Sequence, residues 1–250
     1  MPDALSAALN TPGLFWLLFS IAAAGLVRGF TGFGTALIFV PVAGIFLAPA
    51  QVIGIMALTG IASSGVLLPR AIRDGNLGEV AILAGAAVVT IPVGLWALSF
   101  LSQDVVRWIV TIAAGLTLIA LISGWRYKGQ VTAPGRIAIG GSAGLLGGLT
   151  GLTGPVVILF YLARTTAAQV VRANTILFLA TLDVILLVNL VIRGEIRTSS
   201  ILLAALLAIP YLTTSLIGQR LFDPKLQTLY RVAAYAVIGV AVLSGLPLFH

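Results

Sequence analysis

Two ionisable side chains stand where their surroundings are apolar. Arg28 falls in the string GLVRGFTGFG (Gly25–Gly34). Asp183 falls in NTILFLATLDVILLVNLVI (Asn174–Ile192) and is the one acidic residue clearly inside such a run. A guanidinium is always charged and presents a planar fork of N–H donors that matches an oxyanion. A carboxylate in the same setting can carry a proton, couple an ion or balance the guanidinium; its plainer role is to order helix packing as a protonated or paired group. A charge deep in a membrane costs about 3 kcal/mol even on lenient scales, so Arg28 reads as a substrate or gating residue unless it snorkels to an interface.

The glycines around Arg28 have a counterpart. Thr31, Gly32, Gly34 and Thr35 follow the arginine. The string GLLGGLTGLTG (Gly144–Gly154) brings Thr150, Gly151, Thr153 and Gly154 just ahead of Pro155, with Gly147 at the place of Arg28 and Thr153 at the place of Gly34. A helix that stops inside a membrane exposes backbone groups that lipid cannot satisfy, so they must face protein or a watery cavity. The restarting helix offers free N–H donors and partial positive charge, a natural seat for an anion. Thr153-Gly154-Pro155 reads as such a start, because proline is tolerated near the first helical position. Glycine also serves mere close packing, and Gly140, Gly144 and Gly148 have the four-residue spacing for it. Both uses stay open.

Further polar residues fall at matched places. Gln51 and Gln169 begin corresponding runs, as caps or ligands. Asn174 follows closely and is a candidate for the cavity. Asp183, about 200° around a helix from Thr181, does not share its face. Pro92 and Pro210 interrupt corresponding runs and permit kinks or gating, and Thr213, Thr214 and Ser215 can re-satisfy backbone groups beyond Pro210.

The elements that must position these groups are membrane helices. The chain has 250 residues, 60% hydrophobic and 8% charged, with mean hydropathy +1.14. A soluble surface of this size needs far more charge. Apolar runs cover Gly13–Ala48, Gln51–Leu68, Gly78–Leu101, Val105–Trp125, Ile137–Ala163, Val170–Ile192, Ser199–Ile217 and Leu226–Phe249. Uninterrupted runs of about 20 residues span a bilayer, and only helices satisfy their backbone there. Trp16, Trp96, Trp108 and Trp125 read as interface anchors. Met1–Pro12 lacks the basic start of a signal peptide, so the first apolar run reads as structural.

The chain is duplicated. AGLVRGFTG (Ala24–Gly32) matches AGLLGGLTG (Ala143–Gly151), AQV recurs at Ala50–Val52 and Ala168–Val170, and Ile-Pro recurs at Ile91–Pro92 and Ile209–Pro210. Each half is a glycine-broken segment followed by three full helices: residues 1–125, then a cytoplasmic linker 126–136, then 137–250. If each broken segment enters and leaves on one side, Arg70, Arg73, Arg126, Lys128, Arg136, Arg164, Arg172, Arg220, Lys225 and Arg231 share a side. Only Arg107, Arg193 and Arg197 then face the other. The positive-inside rule favours that arrangement. It makes the halves inverted and puts both termini outside the cytoplasm. The expected fold is an all-α integral membrane protein of two inverted-topology repeats, each with a re-entrant or hairpin segment, which is the pattern of secondary transporters.

The paired GFTGFG and GLTGLTG motifs, the AQV helices and the closing Ser-Gly pairs (Ser123–Gly124, Ser244–Gly245) resemble the TauE/SafE family of sulfite exporters from about Leu14 to Leu248. The resemblance implies a bacterial inner-membrane carrier of sulfur-containing anions such as sulfite, thiosulfate, sulfoacetate or other organosulfonates, with no cofactor. It maps the glycine segments onto Arg28–Gly34 and Gly148–Pro155. The partners expected are a small anion and the lipid bilayer, with a homodimer allowed and nucleic acid not.

Other classes fit less well. The net charge of +7 is explained by loop topology rather than by nucleic acid. The sequence has no cysteine, and its one histidine, His250, is the last residue, which removes thiolate chemistry, histidine metal sites and a Ser–His pair. No phosphate loop supports an ATP-driven pump. An anion channel, or a permease for a non-sulfur organic anion, remains the alternative to a carrier.

Overall fold

The computed structural model describes residues 2–124, 131–162, 168–221 and 227–248. Trp125, Arg126, Lys128, Arg164, Lys225 and His250 lie outside them, as does the 126–130 part of the 126–136 linker. Among the described residues there is no strand. The helices are α1 (Pro2–Leu9), α2 (Leu14–Thr31), α3 (Thr35–Phe46), α4 (Pro49–Asp74), α5 (Leu77–Leu98) and α6 (Gln103–Ile122) in the first half. The second half has α7 (Ala133–Thr150), α8 (Pro155–Leu162), α9 (Ala168–Ile192), α10 (Thr198–Leu221) and α11 (Gln227–Ser244).

Five of these, α2, α5, α6, α9 and α10, are each long and apolar enough to cross a membrane. Helix α4 has two arms, Pro49–Gly65 and Leu68–Asp74, inclined at 71°, which are long and apolar enough for a sixth span when taken together. Pro69 explains the bend: it lacks the N–H that the Gly65 carbonyl would accept one turn earlier. Helix α3 and the Thr228–Ser244 stretch of α11 are apolar but shorter. The outward faces stay apolar, with Phe15, Phe19, Val89, Phe100, Ile119 and Ile192 all exposed. An exterior of that kind suits lipid and not water. Trp16 and Trp96 are exposed near helix ends, as anchors should be.

Helix starts follow local chemistry. Asn76 accepts the Glu79 N–H at the start of α5, and Ser102 accepts that of Val105 at the start of α6. Helix α7 starts at Ala133, four residues ahead of the expected run, because Pro134 is well placed in a first turn.

Glycine sets the closest helix contacts. A Cβ on Gly140 would strike the Leu83 carbonyl, one on Gly144 the Thr90 hydroxyl and Ala87, and one on Gly148 the Ile91 carbonyl. The paired numbers rise together, so α7 runs parallel to α5 at backbone contact. Gly25 and Gly29 do the same against Tyr211, Ser215 and Gly218, which sets α2 parallel to α10. The packing role of the Gly140–Gly144–Gly148 row is therefore realised.

Two other pairs run antiparallel. Thr111 of α6 donates to the Gly245 carbonyl beyond α11, while Tyr235 of α11 donates to Leu121 near the end of α6. Gln169 and Asn174 at the start of α9 bond to Asp74 and Asn76 at the end of α4. The start of α4 meets the end of α9, where a Cβ on Gly54 would touch Ile196 and Leu190.

Candidate functional site

Both helix breaks have the same turn. Gly32 (φ 82°, ψ 0°) follows α2, and its N–H donates to the Arg28 carbonyl at 2.7 Å. Gly151 (φ 80°, ψ −2°) follows α7, and its N–H donates to the Gly147 carbonyl at 2.8 Å. The left-handed conformation is what requires glycine at these two places. The threonine before each glycine completes the turn. Thr31 donates to Val27 and accepts from Phe33, and Thr150 donates to Leu146 and accepts from Leu152. Those hydroxyls, expected as substrate donors, are spent on the breaks themselves.

The restarts differ by one residue. Helix α3 begins at Thr35, and the Gly34 carbonyl is its first acceptor, taking the Ile38 N–H. Helix α8 begins at Pro155, and Gly154 accepts from Ile158. By role the counterpart of Gly34 is thus Gly154, and Thr153 is an inserted residue rather than Gly34's replacement. Pro155 is the first helical residue, as Thr153-Gly154-Pro155 suggests.

The two restarts face one pocket. Gly34, Thr35, Ala36 and Leu37 line it from the first half, and Thr153, Gly154 and Pro155 from the second. The first N–H groups of each restarting helix have no intrahelical acceptor. Arg28 enters from the last turn of α2 and Asp183 from the middle of α9, so the two intramembrane charges meet here. Thr59, Gly60 and Tyr211 complete the polar lining. Tyr211 and Thr35 share a hydrogen bond of 3.1 Å between their hydroxyls. A Cβ on Gly60 would occupy the place of the Asp183 carboxylate, so glycine admits that group against α4.

Arg28 is the outstanding side chain. It is 6% exposed, and its Nε and Nη2 are buried without a hydrogen-bond partner. The guanidinium stands in the same pocket as the two restarting helix N-termini, and among the described residues it closes no ion pair. Asp183, 7% exposed, shares the pocket without closing an ion pair with it.

The other expected residues lie elsewhere. Asn174 accepts the Asn76 N–H at 2.6 Å and fixes the turn between α4 and α5. Asn174→Ala therefore removes a cap and not a ligand; it is expected to cost about 1–2 kcal/mol of stability, seen as a lower melting temperature, with anion preference unchanged. Gln169 donates to Asp74 at 2.8 Å and Gln51 sits in the first turn of α4, neither of them lining the pocket. Gly32 and Gly151 shape the pocket without lining it. The Pro92 carbonyl accepts from Arg193 away from the pocket, whereas Pro210 immediately precedes the pocket residue Tyr211. Thr213 and Thr214 donate to the carbonyls of Ile209, Pro210 and Tyr211, not to that of Leu206, the group Pro210 frees.

Thr59 and Tyr211 are pocket residues that the sequence reading did not pick out. A Thr-Gly pair within an apolar run, and a tyrosine whose hydroxyl needs a partner, are the signals that mark them.

The fold and pocket together define a multi-pass helical membrane protein with two interrupted helices around a buried cationic cavity. The chain matches the Sulfite exporter TauE/SafE family over residues 17–245 and belongs to that family, whose members are transporters and not enzymes. It is similar to a Cupriavidus necator protein described as "Probable sulfite/organosulfonate exporter TauE", with 25% identity over 225 residues, 87% of this chain and 88% of the relative. No solved structure matches it.

Proposed function

We propose that this protein is a secondary transporter that exports a small sulfur-containing anion, namely sulfite, thiosulfate, sulfoacetate or another organosulfonate, across the bacterial inner membrane. The anion sits between the two helix breaks, held by Arg28, the free N–H groups of α3 and α8, and the hydroxyls of Thr35 and Tyr211. The observation that carries this reading is the buried guanidinium of Arg28, unpartnered and facing both restarts. Family membership and the named relative support the substrate class.

The packing supports inverted repeats. Helices α4 and α9 correspond, as do α6 and α11, and each pair runs antiparallel, which is what an in-plane two-fold axis produces. The axis also exchanges the α5–α7 contact with the α10–α2 contact. Helix α3 ends beside the start of α2, where a Cβ on Gly13 would strike the Phe46 ring, so the broken segment begins and ends on one side. With the basic loops inside, that side is the periplasm, and both termini lie there. Alternating access then moves one half against the other about the fixed pocket.

Export needs no coupled proton, because a dianion leaving the cell gains about 2.3 kcal/mol per charge per 100 mV. Asp183 then opposes the anion whenever it is ionised. Asp183→Asn is expected to tighten anion binding at alkaline pH by about 100-fold, from removal of one charge ~6 Å away at an effective dielectric constant of about 20. Flux through the variant should no longer respond to a pH gradient. Weaker binding with the pH response intact would make Asp183 a packing residue.

Proteoliposome flux of labelled sulfite, thiosulfate and sulfoacetate tests the function. Saturable flux of at least one is expected; absence of saturable flux for every small anion, sulfur-containing or not, would overturn it.

A further inference from the structure

Beyond the Arg28 pocket, Arg107 is the side chain whose placement the proposed function does not use. It lies in the second turn of α6, on the side that the basic loops avoid, so topology explains neither its charge nor its burial. Arg107 is 7% exposed, and its Nε and Nη2 are buried without a hydrogen-bond partner. Its Nη1 lies 3.9 Å from Asp104, whose side chain is 78% exposed. The guanidinium lines a cavity with Val40, Pro41, Gly44, Thr150 and Gly245. Gly44 packs beside its stem, where an added Cβ would make ordinary contact with Arg107 Cγ at 3.7 Å.

This cavity and the Arg28 pocket lie in series. On α3, Thr35–Leu37 line the inner pocket, and Val40, Pro41 and Gly44 line the outer one; on α4, Met56–Gly60 and Pro49–Val52 divide in the same way. About six residues separate the two along each helix, or ~9 Å at 1.5 Å per residue. The second break stands between them. Thr150 touches the outer cavity, Thr153 and Gly154 the inner pocket, and Leu152 in the turn is wholly buried.

We propose that the Arg107 cavity is a second binding station for the same class of small oxyanion, on the periplasmic side of the Arg28 pocket. This rests on the reading of the chain as an anion carrier. A buried guanidinium with free donors calls for an acceptor, and an oxyanion with adjacent oxygens satisfies Nε and Nη2 together. The exposed Asp104 is the competing anion: it holds Nη1 loosely when the station is empty and repels an anion that arrives. An anion leaving Arg28 past Leu152 then meets a second cation before open water, so neither step crosses the full barrier.

The test is equilibrium binding of labelled thiosulfate to the full chain in nanodiscs. Wild type should bind two anions per chain, with Arg107→Gln and Arg28→Gln each retaining one, and Arg107→Lys keeping a weakened second site. Asp104→Asn, a change at an exposed residue, should tighten the weaker site about two- to fivefold, the range of an exposed ion pair. Equal stoichiometry and affinity in wild type and Arg107→Gln, no binding by either included, overturns the second station. In that event, loss of binding in Arg28→Gln still upholds the inner pocket, and no binding in any form removes both. If Arg107→Gln does not fold, unchanged affinities in Asp104→Asn overturn the station instead.

Discussion

Arg28→Gln is expected to lower anion flux by about 100-fold or more while the protein remains folded. Removing one partner of a buried, hydrogen-bonded charge pair costs about 2–5 kcal/mol of binding. In the empty state the same change should not destabilise the fold. The guanidinium is 6% exposed with Nε and Nη2 unpartnered, so the empty protein bears its desolvation without compensation. A neutral amide relieves that cost. The melting temperature without anion should therefore equal or exceed that of wild type, and stabilisation by added anion should shrink to what the Arg107 cavity alone supplies. Arg28→Lys keeps a point charge but loses the planar fork, so it should retain a small part of the flux. A variant that unfolds, or one that transports normally, would place Arg28 in the scaffold rather than at the anion.

Gly148→Val should have the largest effect on folding. A Cβ at Gly148 strikes the Ile91 carbonyl and comes within 3.0 Å of the Leu95 N–H nitrogen, and Gly94 on α5 faces the same place. These are backbone atoms, with no side chain free to give way. The cost is separation of α5 from α7 along their length, about 3 kcal/mol or more given the usual penalty for overpacking. Size-exclusion profiles and thermal melts should show little monodisperse protein. Gly85→Ala on the same helix α5 is the contrast: nothing lies within 4 Å of its Cβ, so the variant should behave as wild type or slightly better. Gly29→Val, facing the Ser215 carbonyl across α2 and α10, should fail as Gly148→Val does.

The spans and the two breaks were legible in the sequence because lipid leaves the backbone so few choices. A run of apolar residues must be helix, and a glycine cluster with a charge inside one must be something else. Arg28, Gly34, Thr153, Gly154 and Asp183 were legible for that reason, and the structure brings all five to one pocket. Hydroxyls and amides were not, because a cap and a ligand have the same composition. Thr31 and Thr150 turn back to their own helices, and Asn174 holds the Asn76 N–H across the α4–α9 pair, a contact 98 residues apart in sequence. Tyr211 reaches the pocket only because Gly25 lets α10 approach α2 closely. Arg107 was counted as loop charge, since a charge four residues into a helix looks the same whether it faces water or a cavity. The one-residue difference between the restarts also needed coordinates: aligned strings pair Thr153 with Gly34, whereas the hydrogen bonds pair Gly154 with it.

The central claim is that an oxyanion occupies the space between the two breaks in contact with Arg28. Anomalous diffraction from crystals soaked in selenite, the heavier analogue of sulfite, tests it most directly. A selenium peak within hydrogen-bonding range of Arg28 Nε or Nη2 and of the N–H groups that open α3 or α8, absent from Arg28→Gln crystals, is the expected result. A peak only at sites remote from both breaks, or one that persists unchanged in Arg28→Gln, would contradict it.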